Sequence, residues 1–267
     1  MKIAILSDIH AYPAAAQKAY DDAKSLGCEQ FVCLGDVVGY GPDPVGAIDW
    51  VRRHINLCLI RGNHDDALIG NLPIRWFSDF AASAIRKHMK MVSEDDKKWL
   101  KESSGYSYNS TYDWLSVSYA HGSAYKPQVF NYIANTQSAC NEMHWMKVNN
   151  INVEFVGHTH FATLDRMEED KDLDGDEYCQ LVNESLNIPE KKIKPGIRYV
   201  FNVGSVGYPR NQKDSIYCVF NTEAKTVVYR KLPFDLQQYY GDMLNAEMDI
   251  PGWLDDRMSM EAIANPL

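Results

Sequence analysis

The chain has 267 residues, with 27 Lys plus Arg against 36 Asp plus Glu and a formal net charge of −9. A chain of this length can bury a large core in one domain, and its acidity disfavours a long nucleic acid as partner, because nucleic-acid binding needs clustered cations. The sequence enters a strand at Met1-Lys2-Ile3 without a signal-peptide pattern, and no apolar stretch approaches the ~20 residues of a membrane span. We therefore expect a single cytoplasmic domain over residues 1–267 with no membrane partner.

Helix-like and strand-like segments alternate over the first two-thirds of the chain. Apolar runs with the length of buried strands cover residues 3–6, 31–34, 57–60, 115–119 and 155–156. Helices are predicted over residues 14–26, 44–54 and 80–91, and Ser93 opens a capping-box pattern for a shorter helix ending near Lys101. The last third predicts strands over 198–203, 215–220 and 226–230, then a helical tail over about 234–267 with a break at Pro251.

The six cysteines show no Cys-x-x-Cys spacing. Cys33, Cys58 and Cys218 fall inside strand-like runs. Buried positions and the absence of a paired spacing predict reduced thiols rather than disulfides or a zinc site.

Short polar clusters directly follow five of the apolar runs. They are Asp8-Ile9-His10, Gly35-Asp36, Gly62-Asn63-His64-Asp65, Ala120-His121-Gly122 and Gly157-His158-Thr159-His160. In open α/β sheets, sites form at the ends of strands, and Asp, Asn and His supply the oxygen and nitrogen donors that first-row divalent metals prefer. The five clusters together predict one dinuclear metal site at strand ends.

The spacing inside the first clusters has a physical reason. Residues two apart in an extended segment face the same side, so Asp8 and His10 can reach one ion. A carboxylate at position 36 can bridge two ions, although an Asp after Gly35 is also a common turn residue. Asn63 offers an amide oxygen, and His64 beside it projects differently, so one can bind metal while the other handles protons.

The two later clusters supply imidazoles. His158 and His160 share one face and can serve one metal each, with two surface histidines in a turn as the alternative. His121 follows a strand by itself, so a structural histidine held by a backbone or carboxylate partner stays an equal alternative there.

The order of these clusters resembles the calcineurin-like metallophosphoesterases. Two longer segments, Gly35-Asp36-Val37-Val38-Gly39-Tyr40-Gly41-Pro42-Asp43-Pro44 and Asn202-Val203-Gly204-Ser205-Val206-Gly207-Tyr208-Pro209-Arg210, resemble a prokaryotic small-phosphodiesterase branch of that superfamily. The resemblance implies an α/β (α+β) fold of the αββα type, in which two β-sheets form a sandwich flanked by helices.

The resemblance also implies how the residues share two ions. Asp36 is the expected bridge, and His64 is the expected general acid, so that Asp36 and His64 form the catalytic set. The first ion is expected on Asp8, His10, Asp36 and His160. The second ion is expected on Asp36, Asn63, His121 and His158.

The implied activity is hydrolysis of a small phosphodiester or phosphomonoester, nucleotide-like, by in-line attack of a hydroxide that bridges the ions. The donor set favours Mn²⁺ or iron and is compatible with Zn²⁺, Ni²⁺ or Co²⁺. Two alternatives stay open: a nuclease for longer nucleic acid, and a non-enzymatic interaction module on the same fold. The sequence does not determine the oligomeric state.

The chain departs from its relatives at three positions. Ala11-Tyr12 replaces the usual Gly-Asn after the first motif, so we expect Tyr12 either to narrow access or to stack on a ring of the substrate. Gly39 stands where the wider superfamily has an aspartate that orients the catalytic histidine, which leaves Asp65 or a carbonyl for that task. Val203 replaces a proline and is expected to alter turn rigidity more than chemistry.

Four residues next to these motifs are candidates for substrate binding. Arg61 and Arg210 can pair with phosphate through their guanidinium groups. Tyr12 and Tyr40 are candidates for the rim of the site. Farther along, Asp170-Lys171-Asp172-Leu173-Asp174-Gly175 opens like a calcium loop, but position 181 is Leu rather than the bidentate Glu, so we favour a solvated hairpin tip.

Overall fold

The computed structural model of the protein describes residues 1–168, 190–210 and 213–264, with the main chain alone at 168 and 259–264. The strands in this part of the chain are β1 (Lys2–Leu6), β2 (Gln30–Cys33), β3 (Cys58–Leu59), β4 (Ser107–Tyr112), β5 (Leu115–Ala120), β6 (Val153–Val156), β7 (Thr163–Glu168), β8 (Lys191–Lys192), β9 (Ile197–Asn202), β10 (Asp214–Asn221) and β11 (Thr226–Pro233). The helices are α1 (Pro13–Ser25), α2 (Pro44–His54), α3 (Asn63–Leu68), α4 (Asp79–Met91), α5 (Glu94–Ser103), α6 (Thr136–Val148), α7 (Leu236–Asn245) and α8 (Gly252–Ala264), with short 3₁₀ helices at Ile74–Trp76 and Pro127–Val129.

The strands form two sheets, and each sheet contains three neighbouring parallel strands. The first sheet has the order β3-β2-β1-β10-β11-β8, and the second has the order β4-β5-β6-β9-β7. Strands β1, β2 and β3 are mutually parallel, and so are β5, β6 and β9. Parallel strands end at the same edge, so each sheet gathers the loops after three of its strands at one edge.

Alternation along the strands creates the inner and outer cores. In β1, Ile3 and Ile5 belong to the apolar cluster between the sheets, whereas Ala4 and Leu6 belong to the cluster that packs against α1 and α2. This two-residue period is what a strand covered on both faces requires. Helix α6 covers the second sheet through a separate cluster that includes Met143 and Val200. The layers are therefore helices, sheet, sheet and helix, which confirms the predicted two-sheet architecture flanked by helices.

Most predicted helices coincide with observed ones. Helix α2 begins at Pro44 and ends at His54, and Asp43 caps it by accepting a hydrogen bond from the Gly46 N–H at 2.8 Å. Ser93 caps α5 by accepting from the Asp96 N–H at 3.1 Å. The sequence did not predict α3, which begins inside the Gly-Asn-His-Asp motif, or β4, whose residues are mostly exposed and lack an apolar alternation.

The predictions for the cysteines, the acidic loop and membrane spans have the following outcomes. Cys28, Cys33, Cys58, Cys140 and Cys218 are free thiols, and Cys179 lies outside the described residues. The Asp170–Gly175 loop also lies outside them. Within the described residues, no helix combines the length and apolar character that crossing a bilayer requires. The single domain and the cytoplasmic location stay predictions.

Candidate metal centre

The loops after the parallel strands bring all seven predicted ligands together at one place. The Asp8 and His10 loop follows β1, Asp36 follows β2, and Asn63 opens α3 after β3. His121 follows β5, and the His158 and His160 loop follows β6. Three overlapping groups have all their donor atoms within 4.8 Å of one another: Asp8, His10 and His160; His10, Asp36 and His64; Asp36, His121 and His158. We call the seven predicted ligands the ligand cluster: Asp8, His10, Asp36, Asn63, His121, His158 and His160.

One half of the ligand cluster combines the first and last motifs of the sequence. The Nε2 atoms of His10 and His160 are 3.0 Å apart. Asp8 Oδ1 lies 3.3 Å from His160 Nε2 and 3.6 Å from His10 Nε2. One carboxylate oxygen and two imidazole nitrogens thus converge on one point.

The other half combines the three middle motifs with His158 of the last motif. His121 Nε2 lies 3.0 Å from His158 Nδ1 and 3.1 Å from Asn63 Oδ1. Asp36 Oδ2 lies 3.2 Å from His121 Nε2 and 3.7 Å from His10 Nε2. Asp36 therefore lies between the two halves, with the same oxygen close to each.

Backbone carbonyls fix the orientation of three imidazoles. The Nδ1–H of His10 donates to the Val38 carbonyl at 3.0 Å. The Nδ1–H of His121 donates to Leu34 O at 2.8 Å. The Nδ1–H of His160 donates to Tyr208 O at 2.7 Å. Such bonds place the proton on Nδ1 and leave the Nε2 lone pair facing inward, as metal-binding histidines commonly do.

The electrostatics of the ligand cluster favour a cation. Burial would raise the pKa of Asp8 and of Asp36, but the neighbouring histidines hold both well below their ordinary value. Burial would lower the pKa of His121, but Asp36 beside it raises that pKa to about 9. The buried carboxylates thus stay ionised only with positive charge next to them, which a divalent ion supplies.

The donor atoms fit divalent metal ions. Asp8 and His10 are fully buried, and Asp8 Oδ1 has no hydrogen-bond partner among the described residues. A buried carboxylate oxygen without a partner is costly unless a ligand satisfies it. Imidazole nitrogens with carboxylate and amide oxygens, and no thiolate, form the donor set that first-row divalent metals accept.

The main chain of the ligand cluster is locally strained. Five of the seven ligands have left-handed backbone with φ between +47° and +66°: Asp8, His10, Asp36, His158 and His160. Non-glycine residues rarely adopt this region, and such residues gather at functional sites where the surrounding fold enforces them. The expectation of an extended Asp8-Ile9-His10 segment was therefore wrong, because a left-handed turn rather than strand alternation brings the two side chains to one point.

The motif after β9 braces the Asp8 loop from behind. Ser205 Oγ–H and the Gly207 N–H both donate to the Asp8 carbonyl at 3.0 Å. The Val203 N–H donates to the Val156 carbonyl at 2.8 Å, a bond that the proline of relatives cannot make. The motif thus holds the loops of the ligand cluster by their backbone carbonyls, through the Ser205 hydroxyl and two of its own N–H groups.

His64 lies beside the ligand cluster with one nitrogen unsatisfied. Its side chain is 3% exposed, and its buried Nδ1 has no hydrogen-bond partner among the described residues. Gly39 has φ +94°, and a Cβ there would overlap the His64 ring. Asp65, one of the two groups expected to orient His64, does not do so, because its carboxylate accepts from the N–H groups of Val38 and Gly62 at 3.2 and 3.0 Å.

Burial sets the charge state of His64. It lowers the pKa of the imidazole well below its ordinary value, and the nearby Asp36 carboxylate offsets this only in part. The backbone N–H of His64 donates to Asp36 Oδ1 at 2.9 Å. The residue is therefore tied to the predicted bridging carboxylate while its ring stays neutral in the free protein.

A cavity of about 800 Å³ opens over the ligand cluster. Asn63, His64 and His158 lie at its base, and Arg210 is the single Arg, Lys, Asp or Glu among its described lining residues. The buried Nε of Arg210 has no hydrogen-bond partner among the described residues. A guanidinium with free donors beside a cation site can bind an anion that reaches both.

Two of the four predicted substrate-binding residues line this cavity, and two do not. Tyr40 and Arg210 are part of its lining. Tyr12 is 4% exposed and packs against Phe234 and Tyr239, so the expectation that it borders the substrate is not supported.

Arg61 also points away from the cavity. Its Nε donates to Ser104 Oγ at 2.9 Å, its NH2 group donates to Ser104 O at 2.7 Å, and NH1 lies 3.6 Å from Asp66 Oδ1. Its guanidinium is thus occupied by the end of α5 and by α3. The expected contact of Arg61 with substrate phosphate is corrected to a structural role.

The sequence did not indicate the aromatic character of the cavity. Tyr40 stacks on Tyr208 with ring centroids 4.3 Å apart, and Tyr132 stacks on His158 at 3.8 Å. Trp253 of α8 lines the same cavity and donates its indole N–H to the Tyr208 hydroxyl at 3.1 Å. Tyr208 belongs to the Asn202-to-Arg210 segment described above, whereas no local sequence pattern indicated that Tyr132 or Trp253 lines a cavity.

The chain is similar to several known proteins. A family model described as the calcineurin-like phosphoesterase superfamily domain matches residues 1–225. The chain is 26% identical over 258 residues to an uncharacterized protein of Methanocaldococcus jannaschii, and the match covers 96% of each. A crystal structure of a metallophosphoesterase from Sphaerobacter thermophilus is 27% identical with a TM-score of 0.75, covering 97% of this chain and 98% of that one.

A hypothetical protein from Pyrococcus horikoshii OT3 is similar in fold alone. It is 14% identical with a TM-score of 0.69, and the match covers 95% of each chain.

Proposed function

Because this chain belongs to the calcineurin-like phosphoesterase superfamily and is a metal-dependent phosphoesterase, we propose that it hydrolyses a small, nucleotide-like phosphodiester or phosphomonoester at a two-ion site. The position of Asp36 is the observation that supports a site for two ions. Its Oδ2 lies 3.2 Å from His121 Nε2 and 3.7 Å from His10 Nε2, between the two halves of the ligand cluster. A carboxylate shared by two groups of donors is what a bridged pair of ions requires.

We assign the residues to the ions by their distances from one another. Asp8, His10 and His160 would hold the first ion, and Asn63, His121 and His158 would hold the second, with Asp36 shared. Mn²⁺ or iron is the proposed occupant, because the donors are nitrogen and oxygen without thiolate. Bound there, two ions supply an activated water and charge stabilisation for in-line displacement at phosphorus.

The side chains that line the cavity position the ester. Arg210 has unsatisfied donors and binds a phosphate oxygen through its guanidinium. Tyr40, whose ring centroid lies 4.7 Å from the ring centroids of both His10 and His64, limits how the ester can turn. Together they hold the phosphorus above the ligand cluster, and such positioning contributes to catalysis in its own right.

His64 is the proposed proton donor to the leaving oxygen. Its ring is neutral in the free protein, but the negative charge of a bound phosphate ester favours the charged form and raises its pKa. The P–O bond to the leaving group breaks, and the alkoxide takes the His64 proton as it departs. A histidine with a low pKa is a strong acid once protonated.

The two alternative functions have less support. A non-enzymatic module on this fold is expected to lose ligands, whereas the predicted ligands and His64 are all present and converge. A nuclease for long nucleic acid is disfavoured by the net charge of −9.

The proposal is tested by stripping metal with a chelator and restoring single metals one at a time. Each form is assayed on mono-, di- and cyclic phosphate esters of nucleosides and of simple alcohols, and bound metal is counted in parallel. The expected result is hydrolysis that disappears with the metal and returns as occupancy approaches two ions per chain. Full activity at one ion per chain overturns the two-ion site, and full activity without metal overturns the mechanism.

A further inference from the structure

Exposed apolar side chains gather at the mouth of the cavity over the ligand cluster. Trp76 is 68% exposed, Val129 is 54% exposed and Tyr132 is 52% exposed, and all three line that cavity. Trp76 has no aromatic ring stacked on it among the described residues. Large apolar side chains exposed together at a concave site mark a surface that a ligand covers.

The residues next to Trp76 continue this apolar surface down to His64. Phe77 lies edge to face with the His64 ring, with centroids 5.0 Å apart. Phe80, at the start of α4, lies parallel to the Tyr40 ring at 5.8 Å. We call Trp76, Phe77 and Phe80 the aromatic wall. It extends from the solvent-exposed mouth to the predicted proton donor, which is where the leaving group of the ester must lie.

We propose that the aromatic wall binds a flat ring in the leaving group of the substrate, with Trp76 as the stacking residue. The proposal rests on the proposed function for the position of the phosphate, because the phosphate must lie over the ligand cluster for the leaving group to reach the wall. The substrate class that follows is a phosphate ester whose leaving group carries a nucleobase-sized ring.

The chemistry of the wall favours a ring over a sugar or a flexible chain. The side chains of the aromatic wall carry no polar group other than the indole N–H of Trp76, so the wall offers few partners for sugar hydroxyls. An aromatic face gains more from a stacked ring than from an alkyl chain of similar area, because ring quadrupoles add to the burial of apolar surface. The exposed indole of Trp76 is free to accept such a ring, whereas Tyr40 is already stacked on Tyr208.

The test compares Trp76→Ala with Trp114→Ala. Trp114 is also an exposed tryptophan, at 40%, but it lies in the turn between β4 and β5 and does not line the cavity. Turnover is measured on adenosine 5′-monophosphate, ribose 5-phosphate and octyl phosphate. Equilibrium binding is measured by calorimetry with two phosphonates that cannot be hydrolysed, one with an adenosine group and one with an octyl chain.

The wild-type protein is expected to bind the adenosine phosphonate more tightly than the octyl one. Trp76→Ala is expected to weaken that binding, and to lower kcat/KM for adenosine 5′-monophosphate, by about tenfold or more, because that is the usual effect of removing a stacking aromatic residue. Ribose 5-phosphate turnover is expected to change little, and Trp114→Ala is expected to match the wild type on every substrate.

The outcomes separate this inference from the proposed function. Binding of the adenosine phosphonate that depends on Trp76, in a protein that hydrolyses none of these monoesters, supports the aromatic wall and contradicts the phosphomonoester form of the proposed function. Hydrolysis with no loss in Trp76→Ala contradicts the wall and leaves the proposed function standing. Octyl phosphonate binding as tightly as the adenosine compound overturns the preference for a ring.

Discussion

The ligand cluster and the aromatic wall border the same cavity but are built in opposite ways. The ligand cluster lies on loops at the ends of parallel strands, and its imidazoles are fixed by hydrogen bonds to backbone carbonyls such as Val38 O and Leu34 O. Trp76 of the aromatic wall lies on a three-residue 3₁₀ helix and is largely exposed. We therefore propose that the chemical step takes place at the ligand cluster, which the sheets hold in position. Substrate selection then depends on the aromatic wall, which can vary without disturbing the sheets.

The largest expected effect comes from breaking the centre of the ligand cluster. Asp36→Asn removes the charge that both halves share, so bound metal is expected to fall below two ions per chain and hydrolysis to fall by at least ~10³-fold, as when a catalytic group is lost. Asp49→Asn, an exposed change on α2, is the matched control. Circular dichroism checks that the fold survives. A variant that keeps two ions and near-normal turnover would show that Asp36 is not the bridge.

The second effect concerns His64, where the ligand cluster meets the aromatic wall. His64→Gln is expected to lower hydrolysis of alkyl esters by ~10²–10⁴-fold, because a poor leaving group needs a proton, and to spare nitrophenyl esters, whose leaving group departs without one. His144→Gln on the exposed face of α6 is the control. Equal losses on both ester classes with unchanged metal would exclude proton donation, and equal losses with missing metal would make His64 a ligand.

The ligand cluster was predictable from the sequence because its residues are local signals. Asp36 and the two histidines of Gly157-His158-Thr159-His160 directly follow apolar strand runs, and the sheet order then brings them together without further information. Helix α2 was equally readable, since Asp43 and Pro44 are a cap and a first-turn residue. The prediction of the local backbone conformation was wrong. The spacing of Asp8 and His10 suggested an extended segment, whereas both residues have left-handed backbone.

The aromatic wall was not predictable, for a physical reason. A 3₁₀ helix of three residues is too short to show a hydrophobic period, so nothing in the sequence distinguishes Trp76 from any other surface tryptophan. Trp253 reaches the cavity only because α8 packs beside Tyr208, a contact between residues 45 positions apart. The predicted contact of Tyr12 with substrate was wrong for the same reason, a contact between residues far apart in the sequence. The tail residues Phe234 and Tyr239 pack against Tyr12.

A third prediction separates the two halves of the ligand cluster. His121→Ala is expected to weaken the second ion while the first stays bound, because Asp36, Asn63 and His158 form a poorer but not empty site. The metal concentration for half-maximal activity is expected to rise by at least about tenfold, since even loss of a residue that only supports a ligand costs ~10–100-fold. Superimposable metal titrations of variant and parent would show that His121 is structural.

The smallest expected effect concerns the loop that carries Tyr132 and Phe130 over the cavity. A buried carboxyl pair anchors this loop: the Ala124 N–H donates to Glu154 Oε1 at 3.0 Å, and the Tyr125 N–H donates to Glu142 Oε1 at 3.1 Å. Burial, with the neighbouring Glu142, raises the pKa of Glu154 well above its ordinary value. The folded protein therefore keeps a proton that the unfolded chain releases near pH ~4.3.

The sign of the pH dependence follows from that difference. Stability from the protonated pair is complete below the unfolded pKa and is lost as pH rises toward the folded pKa of Glu154, at up to ~1.4 kcal/mol per pH unit. Glu154→Gln keeps the side chain neutral and is expected to flatten this slope in urea unfolding at pH 5 to 8, with metal binding unchanged. Parallel stability profiles of variant and parent would mean that Glu154 is ionised in the folded protein.

The central claim is that Asp36 joins two ions, and anomalous diffraction from crystals grown with Mn²⁺ tests it most directly. A bridging Asp36 predicts two anomalous peaks, one beside Asp8, His10 and His160 and one beside Asn63, His121 and His158, with Asp36 in contact with both. A single peak at full occupancy, or two peaks with the Asp36 carboxylate bound to one of them alone, would contradict it.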